Sequence, residues 1–127
     1  MENPKCRILI VDDNDTVRNV VSDHFKGLGY SVIEARDGIQ GLEVALKDLA
    51  DLIILDVMMP GMDGLEVLRQ VRLDPRTATT PVVIFTAVSD PVLERHALEK
   101  GANDYLVKGR FNFSELSDRL SRYLADA

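Results

Sequence analysis

Five polar residues stand where apolar runs end, and together they could do chemistry. Asp12 and Asp13 follow the run Arg7 to Val11, Asp56 follows Leu52 to Leu55, Thr86 follows Pro81 to Phe85, and Lys108 follows Asp104 to Val107. The set offers three carboxylates, one hydroxyl and one ammonium. Carboxylates gathered in a partly desolvated pocket repel one another and raise at least one pKa unless a cation intervenes. Oxygen ligands without His or Cys alongside point to a hard ion. A few carboxylates that leave room for water and phosphate oxygens suit Mg²⁺ better than Ca²⁺. A carboxylate backed by metal, hydroxyl and ammonium groups can act as a nucleophile and carry a phosphoryl group as an acyl phosphate. Asp56 is the leading candidate, being the only acid at the end of the central run, with the acid pair on one side and Thr86 and Lys108 on the other.

Each residue alone has a plainer reading. Asp12-Asp13 could cap a helix, Asp56 could cap the turn shaped by Pro60 and Gly61, Thr86 could be an ordinary strand-end hydroxyl and Lys108 a solvated charge. Those readings do not explain why all of them end strands on one edge. That edge follows from the periodicity. The five runs, Arg7–Val11, Ser31–Ala35, Leu52–Leu55, Pro81–Phe85 and Asp104–Val107, have strand length and are rich in Ile and Val. Between them Val17, Val20, Val21, Phe25 and Leu28, then Leu42, Ala45, Leu46 and Leu49, recur at helical spacing; Phe113, Leu116, Leu120, Tyr123 and Leu124 close the chain in the same way. Gly29, Gly38 and Gly101 mark helix ends or turns, and Asp90-Pro91 reads as an N-cap with Pro at the first helical position. Five βα units result. Strands joined through helices are parallel with right-handed crossovers, and their near-continuous apolar character means both faces are covered, giving a doubly wound α/β fold. Open sheets of this kind bind ligands at the carboxyl ends of their strands.

The totals agree with a single domain over residues 1–127. Hydrophobic residues make up 46% and charged residues 28%, which is ordinary for a soluble globular protein, and no apolar run approaches a membrane span. The opening MENPKCRILIV carries no leader-like pattern, so the cytoplasm is the expected setting. Fifteen basic against twenty-one acidic residues give a net charge of −6, which disfavours nucleic acid as a direct partner. Cys6 is the one cysteine, so it reads as a buried strand residue. His24 and His96 read as solvent-facing or satisfied on helices. Met58 and Met59 read as sealing the loop over the pocket, and Tyr105 as a half-buried ring with its hydroxyl at the surface.

The segments ILIVDDND, LIILDVMMPGMDGLEVL, PVVIFTA and GANDYLVK resemble, in order and spacing, the motif blocks of the receiver domain of two-component response regulators. The resemblance covers essentially the whole chain and is nearest to the stand-alone, chemotaxis-regulator type. It implies a flavodoxin-like (βα)₅ fold with strand order 2-1-3-4-5. It also implies that Asp56 accepts phosphate from a phosphohistidine on a sensor histidine kinase or a histidine phosphotransfer protein. Asp13, Asp56 and the Met58 backbone carbonyl would bind Mg²⁺ directly, and Asp12 through water. Thr86 and Lys108 would contact the phosphoryl oxygens. On phosphorylation Thr86 would move towards the phosphate and Tyr105 would turn inward, reshaping the face of helix 4, strand 5 and helix 5 for a downstream protein target. Met58 and Val88 occupy positions that tune phosphate lifetime; both are apolar, so slow self-dephosphorylation is expected. The chain would then be a phosphoacceptor that catalyses its own phosphorylation and dephosphorylation, not a turnover enzyme.

One departure stands out. Receivers usually follow this lysine with proline, often across a cis bond, whereas here Gly109 follows Lys108. A cis bond before glycine costs about 2.5–4 kcal/mol, so a trans bond or a remodelled loop is expected. Two rival readings compete. Asp13-Asn14-Asp15-Thr16-Val17 also fits the nucleophile motif of haloacid-dehalogenase-like phosphatases, with Asp13 as nucleophile and Asp15 as acid, but that reading leaves Asp56 and the Met-Met-Pro block unexplained. The other is a receiver-like scaffold that binds a partner without phosphorylation.

Overall fold

The structure is a computed structural model that describes residues 6–124; the reading of no leader rests partly on residues 1–5, outside that range. The elements alternate along the chain as β1 (Arg7–Val11), α1 (Asp15–Gly27), β2 (Ser31–Ala35), α2 (Gly38–Asp48), β3 (Leu52–Leu55), α3 (Gly64–Leu73), β4 (Val82–Thr86), α4 (Pro91–Glu99), β5 (Asp104–Val107) and α5 (Phe113–Ser121). All strand pairs are parallel, in the order β2-β1-β3-β4-β5. The doubly wound five-stranded sheet expected from the apolar runs is therefore present. β4 is displaced by one residue from the run that suggested it, because Pro81 has no amide to give the ladder and Thr86 takes the last paired position.

Because successive strand residues point to opposite faces, each strand feeds two cores. Leu9, Val11, Ile53, Leu55, Val82 and Ile84 pack with residues of α2, α3 and α4 on one face. Ile8, Ile10, Leu52, Ile54, Val83 and Leu106 pack with Val21 and Phe25 of α1 and Leu116 and Leu120 of α5 on the other. Burying a Leu or Ile side chain stabilises the fold by roughly 1.5–3 kcal/mol, so the four consecutive buried residues of β3 anchor the strand that ends at Asp56.

Five helix starts lie at the carboxyl edge of the sheet, each capped by a side chain: Asn14, Asp37, Asp63, Asp90 and Asn112 accept from the second or third amide that follows. Asn14, not the Asp12-Asp13 pair, caps α1, which leaves both acids for another purpose. Some helical-face residues are not core. Val20, Leu28, Leu49 and Phe113 are substantially exposed. Leu49 has left the helix altogether, adopting the left-handed conformation (φ 48°) as the C-cap of α2. Cys6 is buried as expected, but it precedes β1 and is not a strand residue.

Candidate functional site

The crevice is built from strand ends. The first residue beyond β1 is Asp12, whose amide donates to Ala35 of β2, and the first beyond β3 is Asp56, whose amide donates to Val11. Both carboxylates are buried, at 3% and 6% exposure, while Asp13 is exposed. Carboxylate oxygens of Asp12, Asp13 and Asp56 lie within 4.8 Å of one another. Lys108, the first residue beyond β5, reaches across with Nζ 2.7 Å from Asp12 Oδ2 and 3.0 Å from Asp56 Oδ2. The remaining oxygens are fixed by backbone: the Asn14 amide donates to Asp12 Oδ1 at 2.9 Å and the Met58 amide to Asp56 Oδ1 at 3.1 Å.

One ammonium serves two buried acids, and the titration behaviour follows. Burial pushes the Asp12 carboxyl above its ordinary range; the Lys108 ammonium and the Asn14 amide pull it down by less, and Asp56 adds to the rise. Burial also works against the Lys108 cation, but two carboxylates outweigh it and hold the ammonium above its ordinary value. An all-oxygen donor set with surplus negative charge, one member open to solvent, fits a hard divalent cation.

Close approach shapes the floor. A Cβ on Gly64 would sit 2.2 Å from the Asp56 carbonyl oxygen and 2.6 Å from the Val57 Cα, so only glycine lets α3 begin against the strand end. Met59 is buried but Met58 is 62% exposed, so only Met59 seals the loop as expected and Met58 points to solvent. On the opposite side the Lys108–Gly109 bond is trans, since the described residues contain no cis peptide. Gly109 has φ 88° at the third position of a turn closed by the Arg110 amide on the Val107 carbonyl, the conformation a type II turn requires. The missing proline is thus replaced by a remodelled turn that still delivers Lys108 to the acids.

Thr86 is fully buried at the end of β4, its hydroxyl accepting from the Val88 amide at 3.3 Å. Tyr105 is buried, at 6% exposure, and its hydroxyl donates to the Val88 carbonyl at 2.7 Å. The ring is therefore inward and tied to the loop after β4, in place of the half-buried position with a surface hydroxyl. Burial, followed by the charges of Glu94, Asp90 and Asp56, raises its phenol pKa. His24 packs between α1 and α5 against Ser117 and Phe113, and His96 is exposed, so neither enters the site.

The periodicity did not single out Arg18, a buried arginine on α1 that donates to the Asp12 carbonyl at 2.8 Å. A signal existed: Arg18, Val21, Ser22 and Phe25 share the buried face of α1, where a charge is out of place without partners. Asp15, the acid of the rival phosphatase reading, is committed to Arg18 at 2.5 Å.

A (βα)₅ sheet in this order, with three acids and a lysine at its carboxyl edge, defines a chemotaxis-regulator-like flavodoxin fold. The model of the response regulator receiver domain matches residues 8–121, and the chain belongs to that family. The transcriptional regulatory protein HprR of Escherichia coli is 44% identical over 119 residues, 93% of this chain and 51% of that protein. The DNA-binding dual master transcriptional regulator RpaA of Synechocystis is 39% identical over 118 residues, 93% of this chain and 48% of that protein. The chain thus spans about half the length of these two relatives. Among solved structures, a putative response regulator from Chloroflexus aurantiacus superposes with TM-score 0.88 at 40% identity, covering 95% of this chain and 98% of that one. The chemotaxis response regulator CheY4 of Vibrio cholerae gives TM-score 0.87 at 35% identity, covering 94% and 98%. None of the helices among the described residues is long and apolar enough to cross a membrane.

Proposed function

We propose that residues 1–127 act as a single receiver domain in which Asp56 is the phosphoacceptor, taking its phosphoryl group from a phosphohistidine on a sensor kinase or phosphotransfer protein. The observation that carries this reading is the Lys108 ammonium bridging Asp12 and Asp56 in a pocket with surplus carboxylate. A carboxylate oxygen of Asp56 bonds to phosphorus as the donor's phosphorus–nitrogen bond breaks, and the imidazole leaves with the electron pair. Lys108 and the Thr86 hydroxyl meet the charge that develops on the phosphoryl oxygens. Asp13, Asp56 and the Met58 carbonyl would hold Mg²⁺, with Asp12 reaching it through water; the ion supplies charge neutralisation at the transferring group. The chain itself promotes both gain and loss of the phosphoryl group.

Output passes through the face of α4, β5 and α5. Tyr105 on β5 is tied to the loop that Thr86 opens, so a shift of Thr86 towards a phosphoryl group is felt by the ring and by α4, where Val92 and Leu98 are exposed. A switch of this kind needs two arrangements a few kcal/mol apart, one of which binds the phosphoryl group better. With a net charge of −6, this segment contacts protein and not nucleic acid. Incubating the chain with Mg²⁺ and acetyl phosphate, then measuring intact mass, tests the reading. One added phosphoryl group is expected, and none on Asp56→Asn. Phosphorylation that survives Asp56→Asn points to Asp13 as the nucleophile; no uptake by the unaltered chain leaves the scaffold reading.

A further inference from the structure

Asp13 is exposed, so its carboxylate is placed by the backbone that carries it, and that backbone turns sharply between the end of β1 and the start of α1. The turn is held at two points. The Asn14 amide closes it onto Asp12 Oδ1, and the Arg18 guanidinium, one helical turn further on, donates from Nη1 to the Asp12 carbonyl at 2.8 Å. That second bond fixes the plane of the peptide joining Asp12 to Asp13, and hence the direction in which Asp13 leaves the strand. The guanidinium cannot easily shift. Its Nε donates to Glu34 of β2 at 3.1 Å, its Nη2 to Asp15 at 2.5 Å, and Glu34 is held in turn by Ser22 at 3.1 Å. The side chain is only 8% exposed.

A buried ion cluster is weak evidence of stabilisation, since desolvation of its members offsets much of their attraction. It does fix geometry, because a planar guanidinium with three directed bonds tolerates little movement. We propose that Arg18 is a positioning residue for the cation site: it sets the Asp12–Asp13 peptide so that Asp13 and Asp56 can share one divalent ion. The role rests on the Mg²⁺ reading given above. It also opposes simple electrostatics. Arg18 is a cation near a cation site, and deleting it would leave Asp15 without its cation and Glu34 with only Lys26 at 4.0 Å, so charge alone makes Mg²⁺ bind as well or better without it.

The test is calorimetric titration of the full chain with MgCl₂, with thermal unfolding in EDTA recorded for each variant. Arg18→Lys keeps the charge but not the fork, and its Mg²⁺ affinity is expected to fall at least about tenfold, the loss usual when a group orienting a metal ligand is removed. Glu34→Gln disturbs the ion cluster but keeps the bond to the Asp12 carbonyl, and is expected to leave the affinity unchanged. Arg18→Met combined with Glu34→Gln removes the cluster without stranding Glu34 as a charge, and is expected to remain folded and bind as weakly as Arg18→Lys. If the Arg18 variants unfold earlier yet bind Mg²⁺ like the unaltered chain, the role is structural only and the proposal is overturned. If the unaltered chain does not bind Mg²⁺, the cation site itself fails and the proposal with it.

Discussion

Lys108 and Asp56 meet at 3.0 Å from the ends of β5 and β3, with β4 between them and 52 residues of chain separating them. The contact sets the electrostatics of the pocket, because the same ammonium is 2.7 Å from Asp12 and, among the described residues, is the one cation in ion-pair contact with these two buried acids. Lys108→Met removes that charge while keeping most of the stem. Two carboxylates are then left buried without their cation, and a loss of about 3 kcal/mol near neutral pH is expected, the low end for a buried pair because the Lys108 side chain is partly exposed. The loss should shrink in acid, since a stranded carboxyl with a raised pKa takes up a proton when folded before it does when unfolded. Urea midpoints in EDTA at neutral and mildly acid pH measure this; an equal loss at both would refute it.

Asp12 offers the complementary experiment. Its carboxyl is held above its ordinary value by burial, so the folded state binds the proton more tightly than the unfolded state does. The resulting penalty is fully present above the folded pKa and disappears as the pH falls below the ordinary value of 3.8. Asp12→Asn should therefore stabilise the metal-free protein at neutral pH, and that gain should vanish in acid. The same change should abolish most of the rise in melting temperature that Mg²⁺ produces. A variant less stable than the unaltered chain in EDTA would show that its hydrogen bonds outweigh its charge.

Much of this arrangement was legible in the sequence, for a reason particular to parallel sheets. Each strand end is marked by a change from apolar to polar, and all five ends share one edge, so Asp12, Asp56, Thr86 and Lys108 can be placed together without knowledge of any distance. What was not legible depends on packing between elements. Val20, Leu28 and Phe113 fit a helical apolar face but lie beyond the area that the sheet covers. Leu49 fits one too, yet sits where α2 ends. Tyr105 could have faced either way until the Val88 carbonyl provided a partner for its hydroxyl. Arg18 carries no mark of its partners in the sequence because these, Glu34 and the Asp12 carbonyl, come from two different strand ends.

The turn after Lys108 leads to a prediction against the usual residue preference. Proline commonly follows this lysine in receivers, so Gly109→Pro looks like a harmless change. Here residue 109 has φ 88°, whereas proline is fixed near −65°. Adding a Cβ meets no neighbour, so the difficulty is conformational and not steric. Gly109→Pro should cost about 1–3 kcal/mol and draw Lys108 from the acids, while Gly109→Ala should cost about 1 kcal/mol. Chemical denaturation of the two variants settles the order; a Gly109→Pro protein as stable as the unaltered chain would refute it.

At the far edge of the sheet, Arg72 ties three segments together. Its guanidinium donates to the carbonyls of Thr77, Ala78 and Thr80 before β4 and to Gly101 and the Asn103 side chain before β5. Burial lowers its pKa, as expected for a cation whose partners are carbonyls and not carboxylates. Arg72→Met should leave several of these acceptors without a donor and cost about 3 kcal/mol, at about 1 kcal/mol or more for each one stranded. The site lies at the other end of the strands, so Mg²⁺ affinity should not change. Unfolding midpoints and metal titration on the same preparation separate the two effects.

The lifetime of the proposed acyl phosphate depends on whether water can be held in line with the phosphorus. Met58, two residues beyond Asp56, is exposed and has its amide on the Asp56 carboxylate, and Val88 has its amide on Thr86 and its carbonyl on Tyr105. Neither side chain can donate to or accept from an attacking water, so loss of the phosphoryl group should be slow, and a half-life of only seconds would contradict this. Met58→Asn places an amide two residues beyond Asp56 without touching the strand that carries it. One hydrogen bond that orients the water is worth about 1 kcal/mol, which is about a fivefold faster loss. The check is phosphate release after removal of the donor, followed side by side for the unaltered chain and for Met58→Asn; an unchanged rate in the variant would mean that water approaches from a side that Met58 does not border.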